Sequence, residues 1–242
     1  MKIGIIGYGY VGRAVANSFQ LKDVDIVVSD PFVLPHTSVS VLHMKQNCDA
    51  VFVCVPTPAR RDGSNDTTLL ENILDELVGY EGFVFCKSTA DPVKYRELER
   101  DLGLKLVHAP EFLTAANALD DYLHPPQVVI GCKVKYWHKA AEYILPYVEC
   151  ENVSYCNIAE AAMFKYVANT MLAMKVIINN EFEELCTKLN IDWRGVVEIA
   201  EDDVRLGNTH WRVPGPDGKR GFGGACFPKD TTALSMMAKN AG

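Results

Sequence analysis

Near its start the chain reads Lys2-Ile3-Gly4-Ile5-Ile6-Gly7-Tyr8-Gly9-Tyr10-Val11-Gly12. A short apolar run thus ends in three glycines spaced G-x-G-x-x-G and passes into residues 11–21, whose apolar positions have helical spacing. A strand that turns at once into a helix needs each glycine for its own reason. The first permits the tight turn, the second lets backbone approach a pyrophosphate, and the third lets the helix pack on the strand. The N–H groups and dipole at the start of that helix favour an anion. Gly7, Gly9, Tyr10, Val11 and Gly12 are therefore read as a dinucleotide-binding turn. Asp30 ends the next β-branched run, 18 residues after Gly12. A carboxylate there accepts from a ribose hydroxyl and repels a 2′-phosphate, which predicts NAD rather than NADP.

The rest of the first half repeats the alternation. Apolar, β-branched runs at 25–30, 50–55, 82–87, 104–109, 127–131 and 152–156 read as further strands. Between two of them, residues 67–78 carry Leu69, Leu70, Ile73, Leu74 and Leu77 at the helical period. Strands that are apolar throughout and alternate with helices predict an α/β fold, a Rossmann-type, doubly wound, mostly parallel sheet covered on both faces. From Asn157 the strand signals stop. Asn157 and Glu160 fit a reciprocal N-terminal cap, and the helix after them is expected to run to about residue 189. A second helix is expected at 193–201, a Gly/Pro-rich loop at 207–224, and a last helix with Pro228 in its first turn. This divides the chain into an NAD-binding domain, 1–156, and an all-helical domain, 157–242.

Composition narrows the function classes. The 242 residues carry a net charge of −7, which argues against a nucleic-acid partner. No uninterrupted apolar stretch reaches the length of a membrane span. The start lacks an apolar leader segment, so the expected location is cytoplasmic. There are eight cysteines and no Cys-x-x-Cys pair, so neither a disulfide framework nor a zinc site is expected, and the metal set is none. Cys54 and Cys86 fall in strand-like runs and read as small buried apolar residues.

Cys226 stands apart. It lies in Gly223-Gly224-Ala225-Cys226-Phe227-Pro228-Lys229-Asp230, between a glycine turn and the expected start of the last helix. A helix N-terminus and a nearby cation favour a thiolate. If Cys226 begins that helix, Asp230 shares its face. Lys165 and Asn169, one turn apart on the long helix, also share a face.

These segments resemble the UDP-glucose/GDP-mannose dehydrogenase family, in order and along nearly the whole chain. The resemblance is carried by Gly7 to Gly12 and by Val55-Pro56-Thr57-Pro58, Lys87-Ser88-Thr89 and Pro110-Glu111-Phe112-Leu113. The stretch from Glu160 to Asn169 and the Gly-Phe-Gly-Gly-Ala-Cys-Phe-Pro-Lys-Asp run ending at Asp230 complete it. It implies oxidation of a nucleotide-sugar C6 alcohol to a carboxylate with two NAD, UDP-glucose being the expected substrate. Cys226 would form a thiohemiacetal and then a thioester. Lys165 and Asn169 would stabilise the oxyanion, Asp230 and Thr89 would handle water and protons, and Glu111 would assist hydrolysis. Thr57, with Thr89, would line the nicotinamide side.

The sequence departs from the family pattern in three places. Ala115 stands where a second glutamate is usual, and Ala90-Asp91-Pro92-Val93-Lys94 differs from the usual Val-Pro-x-Gly type. The sequence ends sixteen residues after Cys226, at Gly242, without the family's third domain. A compact enzyme, a separately encoded C-terminal domain and a shortened chain all remain open. The alternatives to the thioester reading are a two-domain β-hydroxyacid dehydrogenase using Lys165 and Asn169, and a non-catalytic NAD-binding subunit. A homodimer is expected through the long helix, whose apolar residues exceed what one face of a small helical domain can cover.

Overall fold

The structure, a computed structural model, describes residues 1–33 and 37–242. Among the described residues seven strands form one sheet: β1 (Lys2–Ile6), β2 (Asp25–Ser29), β3 (Ala50–Val53), β4 (Phe83–Cys86), β5 (Lys105–His108), β6 (Val128–Gly131) and β7 (Val153–Cys156). Their order is β2-β1-β3-β4-β5-β6-β7. Neighbours run parallel except β5 and β6, which meet antiparallel at His108 and Gly131. The chain leaves β1 toward β2 and then returns to β3 on the other side. The strand order therefore reverses between β1 and β3, the crevice where open α/β sheets take ligands.

The strands are apolar throughout because both faces are covered. On β3, Ala50 and Phe52 face one core and Val51 and Val53 the other, as the two-residue alternation of a strand requires. Helix α1 (Tyr10–Gln20) packs Phe19 against Phe52, ring centroids 5.3 Å apart, and Phe52 stacks on Phe85 at 4.6 Å. The strands stop one or two residues short of several apolar runs. Cys54 is one such overhanging residue: it lies just past β3 and is only partly covered, whereas Cys86 is fully buried as expected. Among the described residues the cysteines form no disulfide.

Several helices lacked a clear period in the sequence: α2 (Val41–Asn47), α4 (Pro92–Asp101), α5 (Ala118–Leu123) and α6 (Trp137–Ala141), which lie around α3 (Thr68–Glu76) in chain order. The start of α4 explains one departure from the family pattern. Asp91 accepts the Val93 N–H at 2.6 Å and Pro92 sits in the first turn, so Asp91-Pro92 is a helix start.

Helix α7 (Ile158–Lys188) begins with the expected reciprocal cap: Asn157 Oδ1 accepts the Glu160 N–H, and a Glu160 carboxylate oxygen accepts the Asn157 N–H, both at 2.9 Å. Helices α8 (Trp193–Glu201) and α9 (Phe227–Ala241) follow. By packing, the chain forms two compact units, residues 1–61 with 65–165, and 62–64 with 166–242. The first eight residues of α7 thus belong to the compact unit that holds the sheet, and the rest to the other. Ile158 and Ala162 join the core on one face of the sheet. By length and hydropathy α7 is apolar enough to cross a membrane, yet it buries Lys165, Asn169, Asn179 and Asn180. Phe164, Val167, Met171, Met174, Ile178 and Phe182 on it are exposed.

Candidate active site

In the sheet unit the glycine turn is sterically fixed. Gly7 has φ +88°, and a Cβ there would lie 2.8 Å from the Cys54 carbonyl oxygen. A Cβ on Gly12 would lie 2.0 Å from the Gly7 carbonyl oxygen. Around Gly9 nothing lies within 4 Å of where a Cβ would be, and no side chain caps α1 at this residue. A tight turn, an open approach and a side-chain-free helix start fit a dinucleotide diphosphate. The partly exposed Tyr10 and Val11 form the first turn of that helix. Asp30 Oδ2 accepts the Tyr8 N–H at 2.7 Å, and its Oδ1 accepts the N–H groups of Phe32 and Val33. The carboxylate is thereby held beside the glycine turn.

At the carboxyl ends of β3 and β4, Thr57 Oγ1 donates to the Thr89 carbonyl at 2.7 Å. Ser88 Oγ donates to the Val55 carbonyl, also at 2.7 Å. Glu111, just past β5, is buried. Its Oε2 accepts the Leu113 N–H at 2.7 Å and its Oε1 lies 3.2 Å from Lys165 Nζ. The Lys165 ammonium also donates to the Glu111 carbonyl and lies 5.1 Å from the centroid of Phe112. Lys165 is 4% exposed, so it is no solvated helix stripe. Ala115, at the position of the family's usual second glutamate, is exposed.

Two buried bases in this unit escaped the sequence reading. His108 closes β5; burial lowers its pKa to about 3, and its Nδ1 lies 3.0 Å from the Cys86 carbonyl. Lys87 follows β4, and burial lowers its amine to about 8. A Lys within a short turn motif carries no periodic signal, so only its burial reveals it.

In the helical unit, Cys226 is the N-cap residue of α9, and its carbonyl accepts the Asp230 N–H at 2.8 Å. The expectation that Asp230 lies one turn beyond the thiol therefore holds. Asp230 is 1% exposed, its Oδ2 accepts from Asn169 Nδ2 at 2.6 Å, and its Oδ1 lies 2.5 Å from Lys229 Nζ. The loop that leads to Cys226 is tied to α7 at several points. Lys175 Nζ donates to the carbonyls of Leu206 and Gly207 at 2.9 and 3.1 Å and lies 4.0 Å from the Trp211 ring centroid. Asn179 donates to the His210 carbonyl at 2.9 Å, and Asn180 Oδ1 accepts the Gly221 N–H at 3.1 Å. Arg220 pairs with Glu183 at 2.6 Å. A cavity of about 750 Å³ in the same unit is lined by Trp193, Arg194, His210, Trp211 and Arg212 among others.

The family model described as UDP-glucose/GDP-mannose dehydrogenase family, NAD binding domain, matches residues 36–150, and that family's central-domain model matches 159–242. UDP-glucose 6-dehydrogenase AglM of Haloferax volcanii is 29% identical over the whole chain, which spans 66% of that protein's length. The chain thus spans less than two thirds of the curated relatives it matches. A UDP-glucose dehydrogenase from Pyrobaculum islandicum superposes with a TM-score of 0.84 at 26% identity, covering 99% of this chain and 64% of that one. A 3-hydroxyisobutyrate dehydrogenase from Mycobacterium tuberculosis, at 18% identity, shares the fold, with a TM-score of 0.78 over 100% of this chain and 88% of that one. With consecutive domain models of one family matched in order on a Rossmann-type sheet and the helices that follow it, the chain belongs to the UDP-glucose/GDP-mannose dehydrogenase family.

Proposed function

We propose that the chain oxidises a nucleotide sugar, UDP-glucose first among candidates, from the C6 alcohol to the carboxylate through a covalent intermediate on Cys226. Two NAD molecules, bound one after the other, each accept one hydride. Cys226 Sγ adds to the C6 aldehyde left by the first oxidation, giving a thiohemiacetal. Loss of the second hydride gives a thioester, and water releases the carboxylic acid and the thiol. Lys165 and Asn169 supply an ammonium and an amide donor to the oxyanion. Glu111 takes a proton from the attacking water, and Asp230 and Thr89 orient water and carry protons. Asp30 and the glycine turn hold the dinucleotide, with Thr57 and Thr89 on the nicotinamide side. The chain works as a homodimer through α7.

The observation that carries this reading is Cys226 at the start of α9 with Asp230 buried one turn on and bonded to Asn169. A cysteine serving only as filler needs no buried carboxylate tied to an amide. The second reading, a β-hydroxyacid dehydrogenase, draws on the buried Lys165 and Asn169 and on the fold shared with 3-hydroxyisobutyrate dehydrogenase. It needs no cysteine. The test measures NADH released per sugar consumed across a set of nucleotide sugars and hydroxyacids. Two per nucleotide sugar supports the thioester route, and one per hydroxyacid supports the second reading. Turnover of a nucleotide sugar at the wild-type rate by Cys226→Ser would overturn the first. Absence of turnover on either class, with NAD still bound, would point to a non-catalytic NAD-binding subunit.

A further inference from the structure

Lys87 is 7% exposed. Its backbone N–H donates to the Val53 carbonyl at 2.9 Å, which fixes it at the carboxyl end of β4. Its ammonium lies 5.2 Å from the centroid of the Tyr122 ring, a cation–π contact on α5. Together with Glu111, Asp121 and Tyr122 it lines a small cavity of about 30 Å³. Among the described residues it makes no ion pair, whereas Lys165 pairs with Glu111 at 3.2 Å. One buried carboxylate thus faces two buried amines. A buried ammonium without a carboxylate of its own is costly, and any charge it holds acts on its neighbours through a medium of low dielectric.

We propose that Lys87 is a positioning residue for the Glu111–Lys165 pair: a second buried amine, sharing a cavity with Glu111, that competes with Lys165 for the Glu111 carboxylate and so sets how firmly Lys165 is held. The groups that face it are Cys54 beyond β3, Glu111 beyond β5, Tyr122 on α5, and Lys165 on α7, with His108 on β5 and Asp121 on the cavity wall. Burial lowers the amine to about 8, Cys54 and then Glu111 oppose that shift, and Lys165 adds to it. Below that pH the charged Lys87 draws on Glu111 and repels Lys165. Above it Lys165 holds Glu111 alone.

The catalytic consequence rests on the roles given above to Glu111 and Lys165; the coupling does not. Protein labelled with [ε-¹³C]lysine allows the amine to be titrated directly, the Lys87 resonance being the one lost in Lys87→Met. The expected midpoint is near pH 8. In the isosteric Glu111→Gln it falls by roughly half a pH unit or more, because an attracting charge has gone. A midpoint at the ordinary lysine value, or one unmoved by Glu111→Gln, overturns the proposal whether or not the protein turns over a sugar. Where turnover is measured, wild-type kcat bends near that pH and Lys87→Met shows no bend. A bend that survives in Lys87→Met also overturns it. A protein without turnover but with the coupled titration refutes the activity and leaves the coupling standing.

Discussion

Asp230 has both carboxylate oxygens engaged, by Lys229 and by Asn169, and almost no solvent contact. Removing the carboxylate leaves the buried Asn169 amide without its partner, at about 1–3 kcal/mol, while the partly exposed Lys229 can turn to solvent. Asp230→Ala is therefore expected to lower the melting temperature markedly and abolish turnover. Asp230→Asn keeps the shape, and is expected to lose turnover with a much smaller thermal shift, read by calorimetry. Asp30 works differently, since it is partly exposed and only one of its oxygens accepts from the glycine turn, the other accepting from Phe32 and Val33. Asp30→Ala should weaken NAD binding and narrow the preference over NADP, as measured by titration with both dinucleotides. Lys165→Ala should slow the chemistry by roughly 10²–10³, the loss typical of one oxyanion donor. His108 gives a pH dependence of stability. Its folded pKa of about 3 lies below the ordinary 6.5, so the unfolded chain binds the extra proton first. The stability that the neutral ring contributes is complete above about 6.5 and is lost progressively toward 3, with a slope of at most about 1.4 kcal/mol per pH unit. Urea unfolding across that range should show this slope, reduced in His108→Gln.

The helix α7 does two jobs with one surface pattern. Its reciprocal cap closes N–H groups that would otherwise be unpaired at the helix start. Asn157→Ala should cost about 1 kcal/mol, a shift of a few degrees in melting temperature. Farther along, Lys175, Asn179, Asn180 and Glu183 recur at helical spacing and hold residues 206–221 by side-chain bonds. A loop rich in Gly and Pro has little regular hydrogen bonding of its own, so these anchors fix the approach to Cys226. Asn180→Ala removes the acceptor for the Gly221 N–H. The expected outcome is a fall in the rate of Cys226 alkylation or turnover while NAD binding, which uses the sheet unit, is unchanged.

For the whole molecule, the exposed apolar side chains of α7 call for a partner surface. Phe164, Val167, Met171, Met174, Ile178 and Phe182 share one long helix and are open to solvent, a pattern that marks an interface. Light scattering at micromolar concentration should give twice the mass of 26.9 kDa. Met171→Glu with Ile178→Glu should return it to a single chain. A wild-type monomer would leave the stripe without the second copy proposed to cover it.

Local chemistry determined much of this protein. The strand-glycine-helix start, the apolar strands, the Asn157–Glu160 cap, the extent of α7 and α8 and the turn from Cys226 to Asp230 follow from patterns a few residues long. Steric limits, side-chain period and capping act over that distance. Short helices with weak periods, such as α2 and α5, left no comparable trace. Tertiary structure alone decided what depends on residues far apart in the chain. It matched Lys165 with Glu111, 54 positions away, and Asn169 with Asp230, 61 away. It buried Lys87 and His108, kept Cys54 partly open, and set which part of α7 belongs to each compact unit. Burial and charge pairing are properties of the packed whole, because the dielectric and the partners that set them exist only once the sheet and helices have assembled.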